Sequence, residues 1–359
     1  MGADESFPPR RSLRGRAEEL ATLRRTVEAS VRHGSRFALV GSGGSGKSVL
    51  AAALGHAVAP RFGGRVHFVR IGAWDARTVL ELLALRFGTP RASEVRVEGI
   101  RRFLMAEGPR FVVLDNHEDD RATAHVLDAL ADTKTTFVLT ARRCLLSGVL
   151  VFPVTAPLVT AGRAAFPRVR ALTRLLRWNP LALDLADALV ASGSIGAAAL
   201  AEHLRVEGVD RVVPIEHEDD LHEVRILVEW ALARLSPASV RMLGVLAFVE
   251  GDHVDARSLA RLAQVPRGAT ALKPLQALRL VQEPLAGRFA LHAVVKHAVR
   301  RHTVADPARD YEHYVRLLER SPARVVLEQT HLFAAMDHAS RTGDLGRMLR
   351  VERLLDRLG

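Results

Sequence analysis

Apolar residues recur every three or four positions between Gly15 and His33, with Leu20, Leu23, Val27 and Val31 on one face. This period predicts an amphipathic helix that stops at Gly34. The pattern then changes to short apolar runs at 36–40 (RFALV), 66–71 (VHFVRI), 111–115 (FVVLD), 136–140 (TFVLT) and 149–154 (VLVFPV), separated by stretches of helical period. Strands that are apolar at consecutive positions and alternate with helices build a parallel sheet covered on both faces. Beyond Pro157 the strand-like runs stop and helices dominate, beginning with a strongly apolar one over 181–191 behind Asn179 and Pro180. The acidic stretch 216–220 (EHEDD) reads as a linker. Helical periods over 222–234, 237–248, 256–264 and 270–278 then lead into two short strands around Gly287, the order of a winged helix.

The remainder, 306–359, contains about three amphipathic helices broken at Pro322 and Gly343, in the manner of a helical-hairpin repeat that begins and stops. Residues 1–12 carry Pro8, Pro9 and mixed charge without any period, and read as a loose leader. The expected division is therefore a leader (1–12), an α/β domain (13–157), a helical domain with its linker (158–220), a winged helix (221–305) and the start of a repeat-like arm (306–359).

The segment GSGGSGKS at 41–48 satisfies G-x-x-x-x-G-K-[ST], directly after one predicted strand and before a predicted helix. That context makes the chain an α/β protein of the P-loop NTPase type. The backbone of Gly41, Gly43, Gly44, Ser45 and Gly46, continued by Val49, is expected to wrap the phosphates of a purine nucleoside triphosphate, where the helix N-terminus adds positive potential. Lys47 would reach the β- and γ-phosphates, and Ser48 would ligate Mg²⁺. Asp115, at the end of a second central strand, is the expected acid for the metal, acting through its water shell. Glu118 is either the base that orients attacking water or a solvated loop charge beside Asp119 and Asp120. Thr140, Arg142 and Arg143 follow the next strand at the carboxyl edge, where ligands bind in such sheets; one arginine could read the γ-phosphate while the other is solvated.

Composition narrows the picture further. A chain of 359 residues accommodates two or three domains, and 48% hydrophobic with 25% charged residues is a globular composition. The longest apolar stretches, such as 245–249, fall far short of the roughly 20 residues a membrane helix needs, and the N-terminus has no apolar signal region, so a cytoplasmic protein with no membrane partner is expected. A single cysteine, Cys144, excludes an internal disulfide and a cysteine-based zinc site. The formal charge of +11 comes almost wholly from arginine spread along the chain, which a GC-rich, bacterial codon habit explains without nucleic acid.

With those residues placed, the chain resembles the STAND class of signal-transduction ATPases, specifically NB-ARC-like bacterial members that join an ATPase, a helical segment, a winged helix and repeats. The resemblance covers 13–340. RGRAEEL at 14–20 looks like the class's hhGRxxE element and implies that Gly15 and Arg16 cup adenine, although Arg14 departs from the expected apolar residue. VVLDNHED resembles its Walker B, with Asn116 in the second acid position, and TAR at 140–142 resembles its sensor, which favours Arg142 as the phosphate reader. WNPLALDLA at 178–186 is similar to the G-x-P element and implies that Pro180 packs near the base and sugar; otherwise Pro180 is a plain turn before a helix. Leu291-His292-Ala293 matches the first two positions of the M-H-D element, in which His292 would touch the ADP β-phosphate; Ala293 in place of the acid implies a weaker lock, and an ordinary histidine is the alternative. HLFAAMDHASRTGD at 331–344 is similar to the first helix of a tetratricopeptide-like arm.

The implied function is a slow ATPase switch, closed with ADP and open with ATP, which assembles with like subunits and answers to an unidentified signal or effector. Two rivals stand beside it. A DNA-binding winged-helix regulator ranks second, because the candidate recognition helix 269–278 offers Lys273 as its single cation. A scaffold that keeps ADP without hydrolysis ranks third.

Overall fold

The computed structural model describes residues 7–11, 13, 15–155, 166–209, 221–304 and 306–356. The apolar runs become β1 (Ser35–Val40), β2 (Val66–Arg70), β3 (Phe111–His117), β4 (Thr136–Ala141) and β5 (Leu150–Pro153). They form one five-stranded parallel sheet in the order β2-β3-β4-β1-β5. Helices α1 (Ala17–Ser30), α2 (Lys47–Val58), α3 (Ala76–Phe87), α4 (Ser93–Met105) and α5 (Asp120–Ala129) complete the α/β unit. Successive strand residues feed opposite cores. Ala38, Val112, Leu114 and Leu139 meet Leu83, Ile100 and Leu104 on one face. Phe37, Leu39, Val113 and Val138 meet Val27, Leu50 and Leu54 on the other. Burial on both faces is why these strands are continuously apolar. Because β4 lies between β1 and β3, its carboxyl end is wedged between the P-loop and Asp115.

The second half holds a 3₁₀ turn (Pro167–Leu172), α6 (Pro180–Ala191), α7 (Ala197–Val206), α8 (His222–Leu232), α9 (Pro237–Phe248), α10 (Ala256–Leu262), α11 (Gly268–Ala277) and α12 (Ala293–Arg300). The expected hairpin is present as β7 (Gln282–Leu285) and β8 (Arg288–Ala290), and β6 (Val254–Asp255) adds to it in the antiparallel order β6-β8-β7. Two residues are too few to carry a period, so β6 left no mark in the sequence. One apolar core runs from Phe166, Leu185 and Leu204 through Leu227 and Leu243 to Leu275 and Val299, joining the helical segment to the small-sheet unit. The acidic linker 216–220 lies outside the described residues.

The arm is α13 (Pro307–Arg320), α14 (Val325–Thr342) and α15 (Leu345–Asp356). Its apolar stripe, including Tyr311, Val315, Leu332, Phe333 and Leu354, shares a core with Leu82 and Leu85 of α3, so the arm rests directly on the α/β unit. Among the described residues no helix is long and apolar enough to cross a membrane.

Two expectations need correction. The leader is anchored at Phe7 rather than loose throughout: the buried Phe7 ring lies edge-on to His56 at 4.9 Å and to Phe68 at 5.9 Å, where Gly55 leaves it room, while Pro9, Arg10 and Arg11 are exposed. Arg11 donates to the carbonyl of Glu283 at 2.8 Å. Single ring insertions have no period to betray them. The lone cysteine also does not exclude a mixed metal site, since ligand atoms of His117, Asp120 and Cys144 lie within 4.8 Å of one another; the 2.8 Å His117–Asp120 hydrogen bond satisfies that pair without an ion.

A buried ionic cluster ties the arm to the small sheet. Arg288 on β8 makes a bidentate pair with Glu328 on α14 at 3.0 and 2.5 Å, and Arg324 donates to Glu328 at 2.7 Å and to Asp255 at 2.9 Å. Beside them the His331 ring stacks on Tyr314 at 3.6 Å and donates to the His253 carbonyl at 2.9 Å, while His253 Nδ1 accepts from Arg288. A Cβ on Gly251 would overlap the His331 ring, so the loop before β6 requires glycine there.

Burial, with Arg288 adding, pushes both His253 and His331 down to about 3. The unfolded chain protonates such rings near 6.5, so the stability they carry is complete above that pH and lost as pH falls toward 3. Acidification from pH 7 to 5 is expected to cost about 2 kcal/mol per histidine. Thermal unfolding across this range checks it, and a His253→Gln/His331→Gln variant is expected to show a flatter acid limb.

Candidate functional site

Helix α2 starts at Lys47, with Gly46 as its cap in the left-handed region (φ 90°) and Gly44 likewise (φ 73°). Residues with a Cβ are strained there, which is the local reason for glycine. Gly41 is needed for space: a Cβ would run into the Val154 carbonyl. The loop is held from outside by Arg16, almost fully buried, whose Nη2 donates to the carbonyls of Ser45 and Thr155, both at 2.7 Å. Lys47 Nζ donates to the carbonyls of Gly41 and Ser42, both at 2.8 Å. Ser45 Oγ is buried with no hydrogen-bond partner among the described residues. A backbone cradle in which Gly41, Gly44 and Gly46 exclude a Cβ, an unpaired buried hydroxyl and a lysine at the head of a helix fit a polyphosphate chain.

Asp115 lies at the β3 end, nearly buried, its Oδ1 accepting from the Thr140 hydroxyl at 2.6 Å. The same hydroxyl accepts the Asn116 N–H at 2.9 Å. Asn116 has φ 62°, a left-handed turn that asparagine tolerates, and the register shift after Leu114 coincides with it. Its side chain donates to Glu118 Oε1 at 2.5 Å, holding that exposed carboxylate at the edge of the sheet. Thr140→Val is expected to leave one Asp115 lone pair and the Asn116 N–H unmet, and to weaken Mg²⁺-supported nucleotide binding about tenfold, roughly 1.4 kcal/mol. Titration with and without Mg²⁺ checks this; equal loss in both would place the effect on the fold rather than on Asp115.

A cavity of about 190 Å³ opens over the loop, and Gly43, Gly44, Lys47, Ser48, Val49, Asp115, Glu118, Arg142 and His292 all line it. Arg143 is exposed while Arg142 is half-buried, which separates the pair. Ser48 and Asp115 face one cavity and present oxygen atoms of the kind that Mg²⁺ or its bound waters accept as partners. The His292 ring is oriented by its Nδ1, which accepts the Val294 N–H at 3.2 Å and caps α12. Gly15, Arg16 and Pro180 are not among the lining residues. Instead Arg16 braces the loop, and Pro180 is the first residue of α6 behind Asn179, whose side chain donates to the Gly43 carbonyl at 3.2 Å.

Sequence reading missed several lining residues: Pro8, Pro9 and Arg11 before α1, Arg70 at the β2 end, and Asp252 before β6. Arg70 carried a usable signal, as a charge at the carboxyl end of an apolar strand. Asp252 carried none, because only folding brings its loop to the sheet edge. Exclusion from water raises the Asp252 carboxyl above its ordinary range, while Arg70 and Arg86 pull it back. Burial, with Arg70 and Arg300 beside it, pushes the Lys296 ammonium down to about 7.

No family model and no curated protein matches the chain. Solved structures do. A STAND protein with a tetratricopeptide repeat sensor from Pyrococcus horikoshii superposes with a TM-score of 0.62 at 16% identity, over 98% of this chain and 54% of that one. This chain thus spans about half the length of that protein. AMPPCP-bound DnaA from Aquifex aeolicus aligns over 90% of this chain and 94% of its own with a TM-score of 0.38 at 13% identity, too loose a likeness to bear on function. With its parallel sheet, its glycine-rich loop and the helical units that follow, the chain shares the fold of that STAND protein.

Proposed function

We propose that the protein is a nucleotide-dependent switch that binds adenine nucleotides with Mg²⁺, closed with ADP and open with ATP, and hydrolyses ATP slowly. The observation that carries this reading is the composition of the cavity wall: the P-loop and Asp115 form one side, while Asp252, Leu291, His292 and Ala293 of the small-sheet unit form another. A ligand held between two units can favour one arrangement over another only through contacts that differ between them. Lys47 and the loop N–H groups hold phosphates, Ser48 and Asp115 hold the metal, Arg142 reads the terminal phosphate, and Glu118 orients water. Bound Mg²⁺ supplies charge neutralisation at the β- and γ-oxygens. His292 answers to the β-phosphate, and Ala293 leaves that contact without the acid that would strengthen it. The units of the switch are 13–157, 158–220, 221–305 and 306–359, and opening exposes surfaces for like subunits or an effector.

The direct test is to denature the purified protein and identify the released nucleotide by chromatography. ADP is expected; a protein that is empty and takes up neither ADP nor ATP overturns the reading. Turnover is expected well below the roughly 10 s⁻¹ typical of enzymes. Glu118→Gln is expected to lower it at least tenfold with nucleotide affinity retained, measured by phosphate release. An unchanged rate would remove Glu118 from the reaction, and phosphate release at background in both proteins would favour an ADP-holding scaffold.

A further inference from the structure

The loop 249–253 between α9 and β6 touches both the α/β unit and the arm. The Asp252 carboxylate pairs with Arg70 of β2 at 3.7 Å. The Asp252 N–H donates to Thr330 of α14 at 3.2 Å, and the His253 carbonyl accepts from His331 of the same helix. Behind it, Lys296 of α12 donates to the Val249 carbonyl at 2.8 Å. The place where the loop meets the sheet is specific. Parallel pairing of β2 with β3 sets Arg70 opposite Asp115, and Arg70 and Asp252 both line the cavity that holds Lys47 and Ser48. The same two residues also line the groove between α3 and the arm, so this ion pair stands at the junction of nucleotide cavity and arm.

Asp252 is thus an anion that the small-sheet unit presents to a cation at the edge of a polyphosphate site. Arg70, Arg86 and Lys296 attract it and Asp115 repels it. A guanidinium prefers a multiply charged phosphate, which it can grip at two oxygens, to a single carboxylate held at a looser distance.

We propose that Asp252 is a built-in competitor for the terminal phosphate: it holds Arg70 when the cavity contains a nucleoside diphosphate and is displaced from Arg70 by a nucleoside triphosphate. The inference rests on the nucleotide-switch reading above and adds to it the pair that senses the third phosphate. Displacement moves a loop whose backbone is hydrogen-bonded to Thr330 and His331, so the same event loosens the arm. Coupling runs both ways, as linkage requires: an arm pulled off α3 withdraws Asp252 and favours triphosphate.

The test compares equilibrium affinities for ADP and for a non-hydrolysable ATP analogue, each with Mg²⁺, in the full chain. Asp252→Asn keeps shape and removes the charge; it is expected to raise the ratio of ATP-analogue to ADP affinity about tenfold. Arg70→Gln is expected to lower that ratio about tenfold, and the double variant to match Arg70→Gln alone, because Asp252 acts only through Arg70. Hydrogen exchange gives a readout independent of turnover. The ATP analogue, and not ADP, is expected to speed exchange of the amides of 250–253 and 328–332 in the parent protein and to add nothing in Asp252→Asn. A ratio unchanged in Asp252→Asn with binding intact overturns the competitor role alone. A parent protein that binds neither nucleotide overturns the switch reading and the competitor role together, and thermal unfolding of each variant separates both outcomes from misfolding.

Discussion

Lys47→Ala is expected to lower nucleotide affinity between about 30-fold and several thousandfold while leaving the fold intact. Removing one member of a hydrogen-bonded charge pair at a binding site costs about 2–5 kcal/mol, at about 1.4 kcal/mol per factor of ten. The cost to the unliganded chain is small, since Lys47 lies at the start of α2, is partly exposed, and donates to two carbonyls of its own loop, those of Gly41 and Ser42. Alanine is a good helix former at the position it would take. Titration with a fluorescent ADP derivative measures the first quantity and thermal unfolding the second. Unchanged affinity would mean that the loop does not hold the phosphates and would overturn the site as drawn, Asp115 and Arg142 included.

Glu328→Ala is expected to be the most destabilising single change in the second half of the chain, costing about 3–5 kcal/mol, because it strands a buried charge. Glu328 is 0% exposed and Arg288 only 7%. The truncation leaves Arg288 in the interior with His253 as its remaining hydrogen-bond partner, and takes from Arg324 one of its two carboxylates. The loss should appear as a lower denaturant midpoint and as faster proteolysis of 306–356, since the cluster fastens α14 to β8. Replacing both partners, Arg288→Met with Glu328→Leu, is expected to recover most of the stability, because two apolar residues of similar volume have no desolvation to overcome. A Glu328→Ala effect under about 1 kcal/mol would show that the buried ion pair with Arg288 is not what fastens the arm.

These two residues differ in how readily they could be found. Lys47 was legible because its chemistry is local: glycines that permit left-handed backbone, a lysine and a hydroxyl must be neighbours in the chain for a loop to wrap phosphates at the head of a helix. The five strands were legible for a similar reason, since burial on both faces demands consecutive apolar residues, and so were Asp115 and Arg142, which end strands at the one edge where ligands bind. Glu328 was invisible. It sits in a helix of ordinary amphipathic period, and only the packing of α14 against β8 shows that a charge faces inward.

The sequence by itself determined the elements other than β6, their order and the glycine-rich loop, because each depends on residues within a turn or two of one another. Tertiary structure alone decided that β4 separates the P-loop strand from Asp115, that Arg16 braces the loop, that Phe7 and Arg11 are fastened down, and that Asp252 meets Arg70 across 182 positions of chain. Such contacts depend on which surfaces are left to cover one another after local structure has formed. No spacing along the chain records that.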